Sequence, residues 1–491
     1  MKFPTISYLP DVDPTETGVI TDGNAFVPTL RGLKAAPSAV ATTLEALPAA
    51  CAGAASVLKL DNTQRFLAAT SVRILEATSP TDFTDRSEGG ADYTTVLGRW
   101  RFAQSGNVTL AASKQNLLQE SATDDFATVA DSIKADIVET VGLFVMCFNT
   151  DDTDGVALSL GDRPNSWWCS AVADHTDWTP SLTTQCATGE FVSVPGRVTA
   201  GKRFGDQIVA YKERGLYLGT YRGPPEIWIW QEIPSDTGTW CQESVVNIGT
   251  PEQPKHFFVG RDNFYVFDGS RPQPVGDGIK QTFFQSLNTA EADKICTLLD
   301  RKNSLVYVFY PTGSSTTLDA CVVWDYQSRR WGVDNRSIEF AVEYVNAALT
   351  YGDLGTYYAT YADITGGPYG ELFTSEANGT PAIFSTSHAV QTLTGTPTDS
   401  YLVTGDYGDD VNNVFLKRVK PTFTTKPTSA VLTCYHRGSL GDALSLGPSS
   451  SMSDSRFDVR ISNRWHRLKL EMVGDWEMNK IDAQYSEAGK E

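Results

Sequence analysis

Three stretches decide the architecture: "DQIVAYKERGLYLGTY" from Asp206, "KHFFVGRDNFYVFDG" from Lys255 and "SLVYVFYPTGSSTTLDACVVWDY" from Ser304. Each reads as an apolar strand, a polar turn and a second aromatic strand, the pattern that suits a pleated, half-buried sheet. Their starts lie 49 residues apart. Cores near Phe66, Leu110 and Leu158, and "TYYATYADI" around Tyr357, continue the beat. A period of about 40–50 residues is that of one four-stranded propeller blade. The pattern therefore predicts a mainly β fold with a propeller body of roughly six or seven blades. A pair of large β-sandwiches, whose hairpins recur without a fixed period, is the competing arrangement.

Working outward, "RFLAATSVRILEA" (65–77), "NVTLAAS" (107–113) and "GLFVMCFN" (142–149) read as further strands. Residues 1–48 show little alternation and much Pro, Thr and Asp, and read as an extended arm that packs onto something else. The body then spans 49–400 and a compact C-terminal β-domain spans 401–491. One helical insertion is expected around 288–302, in "NTAEADKICTLLDRKN". There Asn288 can cap the first turn, with Ile295, Cys296, Leu298 and Leu299 as the apolar face. Neither the arm nor this helix alternates like a blade strand, so in a ring assembly they are the candidates for contacts between subunits.

Aromatics at 11%, with 40 glycines and 24 prolines, fit many short strands joined by tight turns. The net charge of −19 argues against a general nucleic-acid binder, since phosphate affinity comes from Lys and Arg. The charge is uneven. From Val411 onward there are 12 Lys and Arg against 9 Asp and Glu, leaving 28 against 50 before it. The C-terminal segment could thus dock on an acidic partner. The eight cysteines are scattered without C-x-x-C pairs, and read as free thiols of a reducing compartment. No signal-like leader and no run of eighteen apolar residues is present, so a soluble chain without a membrane span is expected.

Chemistry-bearing motifs are sparse. Phosphate-cradle, H-E-x-x-H and G-x-S-x-G patterns are absent, and the five histidines (175, 256, 388, 436, 466) lie beside no nucleophile elbow. "TDDTDG" (150–155) resembles a calcium loop, but with Gly155 at the sixth position the twelfth is Gly161, where a bidentate Glu is needed. "SDTGTW" (235–240) is one residue short of the Asp-box turn of sialidase propellers and occurs once. "RPNSWWCSAVADHTDWTP" (163–180) could be a sugar platform with acid/base groups. In the repeat frame it is a strand whose adjacent tryptophans point to opposite faces, followed by a loop.

At "GRWRFAQSGNVTLAASKQNLLQ" (98–119) the sequence resembles the tail hub or nozzle proteins of short-tailed bacteriophages. The likeness continues in order from "DVDPTETGVI" near the start. It runs through "GLYLGTYRGPPEIWIWQEI" (215–233), "FFVGRDNFYVFDGSRPQPVGDGIKQTFF" (257–284), "NSLVYVFYP", "VVWDYQSRRWGV" and "RWHRLKLEMVGDWEMNKIDAQYSEAG". It departs at Ser105, where an aromatic is expected. The resemblance implies a β-propeller body, a helix-bearing insertion and a C-terminal β-domain. It implies a homohexameric ring below the portal and its adaptor, carrying tail fibres, spikes or a needle, with double-stranded DNA passing the lumen without sequence-specific contacts. It also implies a virion tail protein assembled in the bacterial host cytoplasm, with no enzyme activity and no catalytic, cofactor-binding or metal residue to carry over. The alternative reading is a glycan-cleaving or glycan-binding propeller, a sialidase-like enzyme or a receptor-binding adhesin.

Overall fold

The computed structural model describes residues 6–153, 158–345 and 379–487. Gly155 of the calcium-like loop and the stretch around Tyr357 lie outside them. The chain is almost wholly β and forms a ring of seven blades, each an antiparallel sheet whose innermost strand lines a common axis. The innermost strands are Gly53–Leu58, Arg101–Ser105, Lys134–Val141, Val198–Phe204, Val245–Asn247, Cys296–Asp300 and Ile338–Tyr344, here blades I to VII. Blades II and III join through a single pair, Leu117 with Lys134.

The three opening stretches begin at the second strands of blades IV, V and VI, Gln207–Lys212, His256–Val259 and Leu305–Tyr310. Phe66 and Leu110 fall on second strands as well, whereas Leu158 does not: it is exposed outside any strand, and the second strand of blade III is Phe144–Asp152. Blade III carries a long excursion between Cys169 and Ala187, which breaks the spacing. "RFLAATSVRILEA" is a hairpin of two strands, Gln64–Ala69 and Ile74–Ala77.

Both faces of a blade pack against neighbours, which is why apolar side chains occupy both faces of the middle strands. Trp100 and Phe126 fill the I/II interface, Trp168 and Trp178 the II/III, Phe148, Trp167 and Trp228 the III/IV, and Tyr211 and Phe258 the IV/V. Phe257 stacks on Trp324 between V and VI, with ring centroids 4.9 Å apart. Phe66 of blade I meets Tyr344 of blade VII edge-on at 4.9 Å, closing the ring.

The N-terminal segment is woven into its own chain. Ser38–Ala41 is the outer strand of blade VII, paired with Val390–Gly395. Val19–Asn24 lies between Ser7–Tyr8 and Asp399–Gly408 in a six-stranded sheet. Phe26–Pro28 and Leu33–Ala35 join the opposite sheet, next to Glu477–Glu487, Val414–Thr425 and Phe457–Asn463. These two sheets form a sandwich whose core, including Leu432, Leu470, Trp476 and Met478, merges with that of blades V and VI. The expectation of an arm reserved for contacts with another subunit is corrected: all five of its strands pair with strands of this same chain.

The helical insertion is short and lies earlier than expected. A helix spans Lys280–Ser286 and a 3₁₀ turn spans Thr289–Lys294. Asn288 caps the turn by accepting from the Ala290 amide at 3.2 Å. Cys296–Asp300, expected as helix, is the innermost strand of blade VI. Apolar residues at 295, 296, 298 and 299 fit either period, and the ladder offered by Leu305–Tyr310 decides it. The Asp11 carboxylate accepts from the Gln281 and Thr282 amides at 2.6 and 2.8 Å, capping the helix from the far end of the chain. No helix among the described residues is long and apolar enough to cross a membrane.

Candidate functional site

A buried charged constellation sits on the propeller axis, where the innermost strands begin. In "GRWRF" the alternation places Trp100 in the I/II interface and sends Arg99 and Arg101 to the axis. Facing them is Glu243, held in the 3₁₀ turn Gln242–Ser244 that leads into blade V. Arg101 donates from Nε to Glu243 Oε1 at 2.9 Å and from Nη2 to Oε2 at 3.2 Å, the bidentate geometry that suits a planar guanidinium. Its Nη1 donates to the Asp136 carbonyl at 2.6 Å and to the Asp136 carboxylate. Arg99 Nη1 lies 3.5 Å from Glu243 Oε2, and Nη2 donates to the Lys294 carbonyl at 2.6 Å. The Arg99 guanidinium also lies over the Phe340 ring, 4.9 Å from its centroid.

Burial alone would raise the Glu243 carboxyl, but Arg101 and Arg99 overcome it and bring it down to about 2. The two guanidiniums are in turn pushed above their usual range despite burial, Arg101 by Asp136 and Glu243, and Arg99 by Glu243. The cluster therefore carries fixed charges at neutral pH. Arg99, Arg101 and Asp136 line a 440 Å³ pocket together with Trp240, Lys294 and Glu339. Glu339 accepts from the Cys51 amide at 2.9 Å and pairs with His388 Nδ1 at 2.6 Å. A 240 Å³ cavity is lined by all seven innermost strands. There burial raises the carboxyls of Glu139 and Glu343, with Lys202 4.0 Å from Glu139. Among the described residues no group of three His, Cys, Asp or Glu side chains could hold a metal ion. All eight cysteines are buried and free.

The tryptophan stretch is not an exposed platform. Trp167 and Trp168 sit on the third strand of blade III, pointing into the III/IV and II/III interfaces, and Trp178 is 1% exposed. Trp168 Nε1 donates to the Trp178 carbonyl at 3.1 Å and Trp178 Nε1 to the His175 carbonyl at 2.9 Å. Asp174 and Asp177 accept from the Thr176 and Thr179 amides, so both carboxylates serve local turns. Replacing Trp178 by Ala leaves a cavity between blades, and the expected loss is about 3–5 kcal/mol of stability in chemical denaturation. A loss below about 1 kcal/mol would show that the loop is not part of the interblade core.

His256 is fully buried between blades IV and V. Its Nε2 faces the Arg203 carbonyl at 2.9 Å and must donate, so Nδ1 accepts from the Tyr211 hydroxyl at 2.9 Å. Burial pushes it down to about 4 from 6.5. A depressed histidine contributes stability that is complete above 6.5 and is lost as pH falls toward 4, a change of about 3 kcal/mol for such a shift. His256→Gln should flatten this limb of a stability–pH profile; an unchanged slope would reject the assignment.

Arg99, Arg101, Asp136 and Glu243 were not singled out by motif. Their one local signal is R-W-R at the start of a strand, and the Glu lies 142 residues from its partner.

No family model matches the chain, and no curated protein matches it. Among solved structures it is similar to YCF48 bound to D1 peptide, at 10% identity over 68% of this chain and 86% of that one, with TM-score 0.31. It is similar to the N-terminal domain of Nup159 at 11% identity, over 79% and 98% of the two chains, with TM-score 0.33. An exo-β-1,3-galactanase from Phanerochaete chrysosporium with galactose aligns at 10% identity over 72% and 96%, with TM-score 0.26. The class is defined by strand pairing and interblade cores: a seven-bladed β-propeller, closed by an N-terminal strand and carrying a β-sandwich built from both chain ends.

Proposed function

We propose that this chain is a structural, non-enzymatic component of a bacteriophage tail. In this reading it is a hub or nozzle that forms a homohexameric ring around the DNA ejection channel. It meets the portal adaptor above, holds fibres, spikes or a needle, and belongs to the virion tail assembled in the host cytoplasm. The observation that carries this reading is the ordered resemblance, whose segments run from blade II through blade IV to the sandwich. "GRWRF" supplies the axial arginines of blade II, "GLYLGTYRGPPEIWIWQEI" the outer strands of blade IV, and "RWHRLKLEMVGDWEMNKIDAQYSEAG" the closing strands of the sandwich.

A glycan-cleaving propeller needs an ionised carboxylate free to attack the sugar or to activate water, beside a proton-holding acid. Glu243 is ionised, but its oxygens are taken up by Arg101 and Arg99, which favours the structural reading. Electron microscopy of the purified protein with its tail partners tests it. A six-fold ring incorporated into tails is expected; turnover of host glycan without ring assembly would overturn it.

A further inference from the structure

Charge and topology mark two surfaces of opposite sign on opposite sides of the molecule. The sheet that begins in blade VI continues through Phe26–Pro28, Leu33–Ala35, Glu477–Glu487 and Val414–Thr425 to end at Phe457–Asn463. Five strand spacings separate that last strand from the outer strand of blade VI, a reach of roughly 24 Å along the sheet. One face of this end is core, with Leu416, Val419, Phe457 and Val459. The other is polar. On it Lys480 pairs with Asp482 at 3.1 Å and Arg418 with Asp458 at 2.6 Å, while Lys417, Lys420 and Arg460 are exposed and form no ion pair among the described residues.

The counterpart lies on the rim of blades I and II. Asp82, Glu88, Asp92, Asp124, Asp125 and Asp131 are all exposed in and around the outer strands Phe83–Asp85 and Ala127–Thr128. Among the described residues only Asp92 and Asp125 of these six meet a cation, Arg73 at 2.7 Å and Arg86 at 3.6 Å. In a seven-bladed ring blades I/II and V/VI lie across the axis from each other, and the sandwich shares its core with V and VI.

We propose that the basic sheet end of the sandwich docks on the acidic rim of blades I and II of a second copy of this chain. A head-to-tail ring needs two different, complementary patches on separate sides of the subunit, unlike the self-complementary patch of a two-fold dimer. Opposite charge at such patches speeds encounter and disfavours sandwich-to-sandwich or rim-to-rim pairing. This rests on the proposed ring and names the surfaces that close it.

The test is sedimentation and native mass spectrometry of the full chain from low to high salt, with duplex DNA binding measured alongside. Wild type should self-associate at low salt and dissociate as salt rises. Lys417→Glu/Lys420→Glu/Arg460→Glu should weaken association at least about tenfold, and Asp124→Lys/Asp125→Lys should do the same. Mixing the two variants should restore a one-to-one pair, because each keeps one wild-type patch and the two reversed patches attract; a misfolded variant would not be rescued. A wild type that stays monomeric at every salt, or association unmoved by either reversal, overturns the interface. Loss of DNA binding in the basic variant without loss of association overturns it in favour of a nucleic-acid face. Rings that form in tails but ignore these reversals leave the hub reading standing, whereas association through these patches with no tail incorporation defeats the hub reading alone.

Discussion

Deleting residues 1–45 is expected to abolish cooperative folding, not merely assembly. The segment supplies the outer strand of blade VII and four strands of the sandwich. It also contributes Ile6, Ile20, Phe26, Val27 and Leu33, each fully buried. At about 2 kcal/mol for each large apolar side chain, their removal costs about 10 kcal/mol, comparable to the whole stability of a typical domain. The cores left open at Leu402, Trp476 and Met478 would then favour aggregation. Thermal melting and limited proteolysis of the truncated chain provide the check. A soluble truncation with a single sharp transition near that of the full chain would overturn the strand assignments. Adding the segment back as a free peptide should restore the transition only if Ser38–Ala41 pairs with Val390–Gly395 as described.

Blade strands were legible because each middle strand is apolar over short alternating runs, and the recurring stretches land on the same strand of successive blades. The closure was not. "PSAVA" (37–41) has too few large side chains to announce a strand, and it pairs with a partner some 350 residues away. The same limit hid the axial cluster. Arg99 and Arg101 look like surface charges until the ring brings Glu243 and Asp136 opposite them. The tryptophans were legible in part: opposite faces follow from strand period, whereas their burial between blades follows only from the ring. The helix from Asn288 shows the reverse error, since a sound cap was read with a strand's apolar run as its continuation.

Glu243→Leu should be the most destabilising single change on the axis. The side chains of Arg99, Arg101 and Glu243 are all about nine-tenths buried, so solvent screens little of their interaction. Removing the carboxylate leaves Arg101 with Asp136 and Arg99 with no carboxylate partner among the described residues, and breaking such a pair from one side costs about 3–5 kcal/mol. The pH dependence gives an independent reading. The Glu243 carboxyl, depressed to about 2 from 4.5, contributes stability that is present above 4.5 and is lost as pH falls toward 2. Wild type should show this acid limb below that of His256, and Glu243→Leu should lack it while starting from a lower plateau. Replacing Arg99, Arg101 and Glu243 together by apolar residues should recover much of the loss, because a well-packed apolar core avoids the desolvation penalty of the ions. If the single variant costs less than about 1 kcal/mol, or keeps the acid limb, the cluster is solvated and does not hold the innermost strands together.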